Sequence, residues 1–137
     1  MSASNVYENK ILDHIFSKNT GLTPMQPISV GLCIEDPGEG ATGNNCHELP
    51  NTDGYARVVT IEGNWSVSSG GVITNADAII FNKATAYWGV VTHFVLLDSQ
   101  IYGLGDVIFY GTLGVYKTVP IGCTTWFEAG SLEVSLN

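Results

Sequence analysis

The sequence predicts a mainly β protein: an antiparallel β-sandwich, with a jelly roll as its more specific form, carrying one α-helix at the N-terminus. Three observations predict it. The stretch Asn75–Asp98, NADAIIFNKATAYWGVVTHFVLLD, is a dense apolar run followed by an alternating one, the pattern of core strands. From Tyr55 onward, short runs of β-forming residues are separated by glycine and proline turn signals. A helical period occurs only in the N-terminal segment.

That first element is a helix over residues 5–19. Asn5 is placed to cap it, Glu8 stands three residues later as in a capping box, and Tyr7, Ile11, Leu12, Ile15 and Phe16 share one face. His14 lies off that stripe and is expected to face solvent. Asn19-Thr20-Gly21 supplies a stop signal, and Pro24 prevents continuation. Packing of the apolar stripe on the protein's own β-core is its ordinary use, and docking on another subunit is the alternative.

A strand from Ile28 to Ile34 follows, then the long acidic loop Glu35–Gly54, EDPGEGATGNNCHELPNTDG. Loops of this length without periodicity are usually functional or ordered by a partner. Strands are then predicted at Tyr55–Glu62, Trp65–Val67, Ala76–Asn82, Gly89–Asp98, Val107–Thr112, Val115–Val119, Cys123–Ala129 and Ser131–Leu136. Trp88-Gly89 marks the bend between the Ala76–Asn82 and Gly89–Asp98 strands, and turns are expected at Gly63-Asn64, Gly70-Gly71, Gly103-Leu104-Gly105, Gly114, Pro120-Ile121-Gly122 and Gly130. A series of short strands punctuated this way is the signature of a sandwich. No repeat, linker or second domain interrupts residues 1–137, and one domain is expected at this length.

Composition narrows the function. Charged residues make up 13% of the chain, about half the usual fraction, and the hydrophobic share is 45%. So sparse a charge fits outer faces partly covered by partners. The net charge is −8, and Lys10, Lys18, Arg57, Lys83 and Lys117 are scattered, so neither nucleic acid nor an anionic membrane surface meets a basic cluster. The start MSASNVYENK has neither the basic nor the apolar region of a secretory signal, and no apolar run approaches the ~20 residues of a membrane span. Cys33, Cys46 and Cys123 are therefore expected to be reduced thiols.

Motifs for chemistry fail one by one. Gly38–Gly43 has the opening spacing of a phosphate-binding loop, but Asn44-Asn45 stand where lysine and serine or threonine are needed, and Glu39 would repel phosphate. Glu35, Asp36, Glu39, Glu48 and Asp53 lack the ligand order of a calcium loop and are expected to form a solvated acidic face. Cys46-His47 has no second pair at zinc-finger spacing. No nucleophile elbow or zinc-protease helix is present, and His93 fits a hydrogen-bonded histidine on a sheet face or subunit contact better than a general base. Trp65, Trp88, Trp126, Tyr87 and Tyr110 would suit a sugar-stacking platform, although aromatic side chains more often serve as core and interface anchors. No enzyme activity, metal or cofactor is expected.

ENKILDHIF (Glu8–Phe16), GLCIEDPGE (Gly31–Glu39), GYAR (Gly54–Arg57), the Asn75–Asp98 segment, IFYGTL (Ile108–Leu113) and FEAGSLEVSL (Phe127–Leu136) together resemble a family of small tailed-phage structural proteins. Its members are labelled tail-fibre-like proteins, and some relatives are capsid cement or decoration proteins. The resemblance covers nearly the whole chain and carries no catalytic residues; the loop Gly40–Pro50 is longer than in the shortest members, so its contacts are not carried over. It implies a virion component assembled in the host cytoplasm. Decoration of the outer head surface is preferred over a tail fibre, because coiled-coil heptads and fibrous repeats are absent from the sequence. A lectin-like carbohydrate-binding module is the weaker alternative. The expected partners are the major capsid protein and copies of the chain itself, as a trimer. The residues expected to make these contacts are Ile11, Ile15 and Phe16 on the helix and Gly40, Asn44 and His47 in the loop.

Overall fold

The longest strands grow from the most β-prone sequence. In the computed structural model, which describes residues 2–18, 22 and 27–136, GVVTHFVLL forms β6 and VIFYGTLGVYKTV forms β7. In chain order the elements are β1 (Ser2–Ala3), α1 (Asn5–Ile15), β2 (Ile28–Cys33), β3 (Val58–Thr60), a 3-10 turn (Glu62–Asn64), β4 (Val72–Thr74), β5 (Ile79–Ile80), β6 (Gly89–Leu97), β7 (Val107–Val119), β8 (Trp126–Phe127) and β9 (Glu133–Ser135). The helix ends at Ile15, with Phe16 as its C-cap and Ser17 at positive φ, short of the expected residue 19; the expected stop signal at residues 19–21 and Pro24 lies outside the described residues.

Five strands form one antiparallel sheet in the order β1-β7-β6-β2-β3, and two short ladders, β4-β9 and β5-β8, stand apart from it. The result is mainly β, sandwich-like and open rather than a closed barrel. Strand alternation sorts the central sheet into two faces. Val30 lies opposite Leu96 and Leu32 opposite Phe94, and all four enter a core shared with Ile79, Phe81, Leu132 and Val134 from the short ladders and their flanks. The intervening positions, Cys33, Val95 and Leu97, enter a second buried cluster with Val107 and with Ala41 and Cys46 of the 35–54 loop. A sheet covered on both faces explains why Phe94–Leu97 is continuously apolar instead of alternating.

The expected strand Trp65–Val67 is reduced to an isolated bridge from Trp65 to Asn75, and Val72–Thr74 forms a strand instead; two further differences have identifiable reasons. Gly114 does not turn the chain: β7 runs through it, with Val91 opposite Lys117 and His93 opposite Thr112, so Leu113–Tyr116 bulges out against the single residue Thr92. Glycine marks turns and bulges alike, and the sequence does not separate them. At the N-terminus the cap is Ser4, not Asn5. Ser4 is fully buried, its hydroxyl accepts from the Tyr7 N–H and donates to the Val107 carbonyl, and the Asn5 N–H is taken by the Glu39 carbonyl at 2.9 Å.

Candidate docking surfaces

The helix is clamped at one end. Beyond the Ser4 cap, the Tyr7 hydroxyl donates to Asp98 Oδ2 at 2.6 Å, and Lys10 lies 3.8 Å from Asp106 and above the Tyr7 ring. Asp98 is itself fixed, since its Oδ1 accepts from the Asp106 N–H at 2.7 Å. Burial and the Asp98 carboxylate together push the Tyr7 phenol far above its ordinary pKa. The other end of the stripe is bare. Leu12, Ile15 and Phe16 are 55%, 65% and 69% exposed, so the expectation that the stripe packs on the β-core holds for Tyr7 and not for these three. Ile11 is half-buried and, with Leu12, Ala3 and Leu136, lines a groove of about 390 Å³ between the helix and the end of β9. His14 is exposed, as its position off the stripe predicts.

The 35–54 loop is the opposite case. Glu48, expected in a solvated acidic face, has a side chain only 3% exposed and forms an ion pair at 2.9 Å with Arg57, whose side chain is 1% exposed. Arg57 Nε also reaches both carboxylate oxygens. Its Nη1 donates to the carbonyls of Ser99, Ile101 and Leu104, and its Nη2 to that of Gly43. Tyr55 completes the set by donating its hydroxyl to Glu48 while accepting the Leu32 N–H. Burial, then the Glu48 charge, raises the Tyr55 pKa strongly. One side-chain cluster thus ties the loop, the 99–104 turn and β2 together. Gly31 makes room for it: a Cβ there would lie 2.9 Å from Glu48 Oε2 and 3.1 Å from the Tyr55 hydroxyl. Gly43 is equally constrained, since a Cβ would meet the Leu104 carbonyl at 2.0 Å.

Of the expected loop contacts, Gly40 is exposed with open space around its α-carbon, and Asn44 and His47 line a separate cavity of about 340 Å³ with Tyr102. No residue lines both this cavity and the helix groove: of the six expected contact residues, Ile11 lines the groove, Asn44 and His47 line the loop cavity, and Ile15, Phe16 and Gly40 line neither. The remaining loop carboxylates are local: Asp36 accepts from the Gly38 N–H, and Glu35 lies 3.8 Å from His47. Among the described residues, no group of three or more His, Cys, Asp or Glu side chains is placed to hold a metal ion. His93 is hydrogen-bonded through Nδ1 to Thr92 Oγ1 at 2.7 Å within β6.

The aromatic platform does not assemble. Trp88 is buried, meets Tyr55 edge-on and donates to the Asp53 carbonyl, while Trp65 packs on the first core and donates to Thr60. Tyr110 belongs to the second cluster on the other sheet face. Trp126 and Tyr87 remain exposed, with Lys117 above the Trp126 ring.

A profile of the family described as Podophage GP4 fiber I protein gp80 matches residues 2–135. The chain belongs to that family. It is therefore a member of a tailed-phage structural protein family, as the resemblance implied, and a component of the virion. No curated protein matches it. The best-organised polar cluster of the described residues, Glu48–Arg57–Tyr55, holds the fold. That cluster escaped the sequence analysis. The available signal was Arg57 itself, the single arginine of a charge-poor chain, standing two residues from Tyr55 at the entrance to a strand.

Proposed function

We propose that the chain is a non-enzymatic structural subunit of the phage fibre apparatus, attached to a neighbouring virion subunit through the bare end of α1. The observation that carries this reading is the run Leu12, Ile15 and Phe16, each more than half exposed on a helix whose other end is firmly anchored. Large apolar side chains grouped on a surface mark interaction sites. The fibre placement is supported by the description of the family.

Decoration of the head is the second reading, favoured by a short-stranded sandwich without heptads or repeats. In that case the partners are the major capsid protein and further copies of the chain, as a trimer on the outer head surface. The test is co-sedimentation of the purified protein with separated heads and tails from particles lacking it. Binding to tails supports the fibre reading and binding to heads the cement reading. Binding to neither, with retention on host polysaccharide, rejects both in favour of a lectin-like module.

A further inference from the structure

We propose that Cys33 and Cys46 are a dithiol poised to close into a disulfide, pinning the 35–54 loop to the central sheet when the protein passes from reducing to oxidising surroundings. This inference is independent of where on the virion the chain sits. Both residues are buried, at 0% and 1% exposure, and their thiols are hydrogen-bonded to each other. Backbone pairing on either side enforces the contact. Cys33 bridges Glu48, the Ile34 N–H donates to the His47 carbonyl at 3.1 Å, and the Leu49 N–H donates to the Leu32 carbonyl at 3.0 Å. The Glu48–Arg57 pair fastens the same segment from its side chains.

A buried cysteine ordinarily serves as a small apolar filler. Three features separate this pair from that use. The two sulfurs face one another rather than hydrocarbon alone. Their acidities are split: the Cys33 thiol donates to Cys46 and lowers its pKa, while the same bond and burial raise that of Cys33. The third is position: Cys46, although 1% exposed, lies in the wall of the surface cavity formed with Asn44, His47 and Tyr102, so a local opening of the loop is enough to expose it.

The oxidant is a small-molecule disulfide such as oxidised glutathione. The Cys46 thiolate attacks one of its sulfurs, forming a mixed disulfide and releasing one glutathione thiolate. Cys33 then loses its proton and attacks the Cys46 sulfur, forming the Cys33–Cys46 bond and expelling the second glutathione thiolate. The two protons given up by the cysteines are taken by the two released glutathione thiolates, which become thiols, so the disulfide bond of the oxidant is exchanged for the Cys33–Cys46 bond and atoms and electrons balance.

The test uses the Cys123→Ser chain, because Cys123 is exposed and would otherwise link molecules together. Reduced protein is treated with oxidised glutathione, once in the native state and once during refolding from urea, and its thiols are counted and its peptides mapped without reduction. The expected result is loss of both thiols, a Cys33–Cys46 peptide, and a Tm increase on the order of 10 °C that dithiothreitol reverses. Adding Cys46→Ala should abolish the increase. Two free thiols after both treatments, or a stable glutathione adduct on Cys46 that Cys33 never resolves, would overturn the proposal.

Discussion

The 35–54 loop and the far end of α1 invert the usual relation between polarity and burial. In the loop, a carboxylate and a guanidinium are withdrawn from water and hold three chain segments together. On the helix, Leu12, Ile15 and Phe16 project into solvent beyond the last contact that secures the element. Burying a charge is costly unless its hydrogen bonds are met, and Arg57 meets that condition through Glu48 and four carbonyls. Exposing an apolar side chain costs little in the folded state, but it leaves favourable surface to be buried by something else. On the reading proposed above, the loop serves folding and the helix end assembly, although sequence length and polarity suggested that both would dock.

The largest effect should come from breaking the polar side of this comparison. Glu48→Ala leaves Arg57 charged and buried without its counterion, which costs about 3–5 kcal/mol. Urea denaturation should show that loss, together with exposure of Cys46 to thiol reagents as the loop detaches. A change below 1 kcal/mol, about the worth of an exposed surface pair, would mean that the loop is held by its backbone alone.

Alkaline titration sharpens the contrast, because each region hangs on one tyrosine. Tyr55 anchors the loop and Tyr7 anchors the helix, and both phenols are raised by burial and a neighbouring carboxylate. The folded state holds these protons more tightly than the unfolded chain, whose tyrosines titrate near pH ~10. Their contribution is therefore fully present below pH ~10 and is lost as pH rises above it. The expected slope is about 1.4 kcal/mol per pH unit for each tyrosine. In denaturation curves collected between about pH 8 and pH 11, Tyr7→Phe and Tyr55→Phe should each remove one such increment, about 1.4 kcal/mol per pH unit, from the slope above pH ~10. An unchanged slope in either variant would assign the alkaline loss to other groups.

How much of this was legible follows from the range over which each signal acts. The strand β6 was readable because Phe94–Leu97 reports burial through its own side chains. The apolar stripe of α1 was readable too, but periodicity identifies the apolar side of a helix and not what lies opposite, and here the sheet reaches only as far as Tyr7 and Ile11. The Glu48–Arg57 pair depends on a loop folding back across Gly31, a long-range event to which local charge density is blind. The bulge at Leu113–Tyr116 is set by register against β6, which no single-strand pattern encodes. Strands as short as β1 and β4 fall below the length at which alternation can be recognised.

The smallest effect on stability should accompany the largest effect on assembly. Had Ile15 been part of the core, Ile15→Asp would bury an unpaired charge and unfold the protein. At 65% exposure the new carboxylate is instead hydrated, and the change should lie within about 0.5 kcal/mol of the wild-type stability. Phe16→Ser, at 69% exposure, should behave the same way. Both variants should fold, keep the Tyr7–Asp98 anchor and lose co-sedimentation with whichever virion part binds the wild type, because a charge or hydroxyl at the centre of an apolar contact is desolvated without a partner. Loop substitutions supply the opposite control. Asn44→Ala alters an exposed side chain beside the Glu48–Arg57 lock and should leave particle binding within twofold if the helix end alone makes the contact. If Asn44→Ala abolishes binding while Ile15→Asp does not, the two regions exchange roles and the docking surface is the loop cavity.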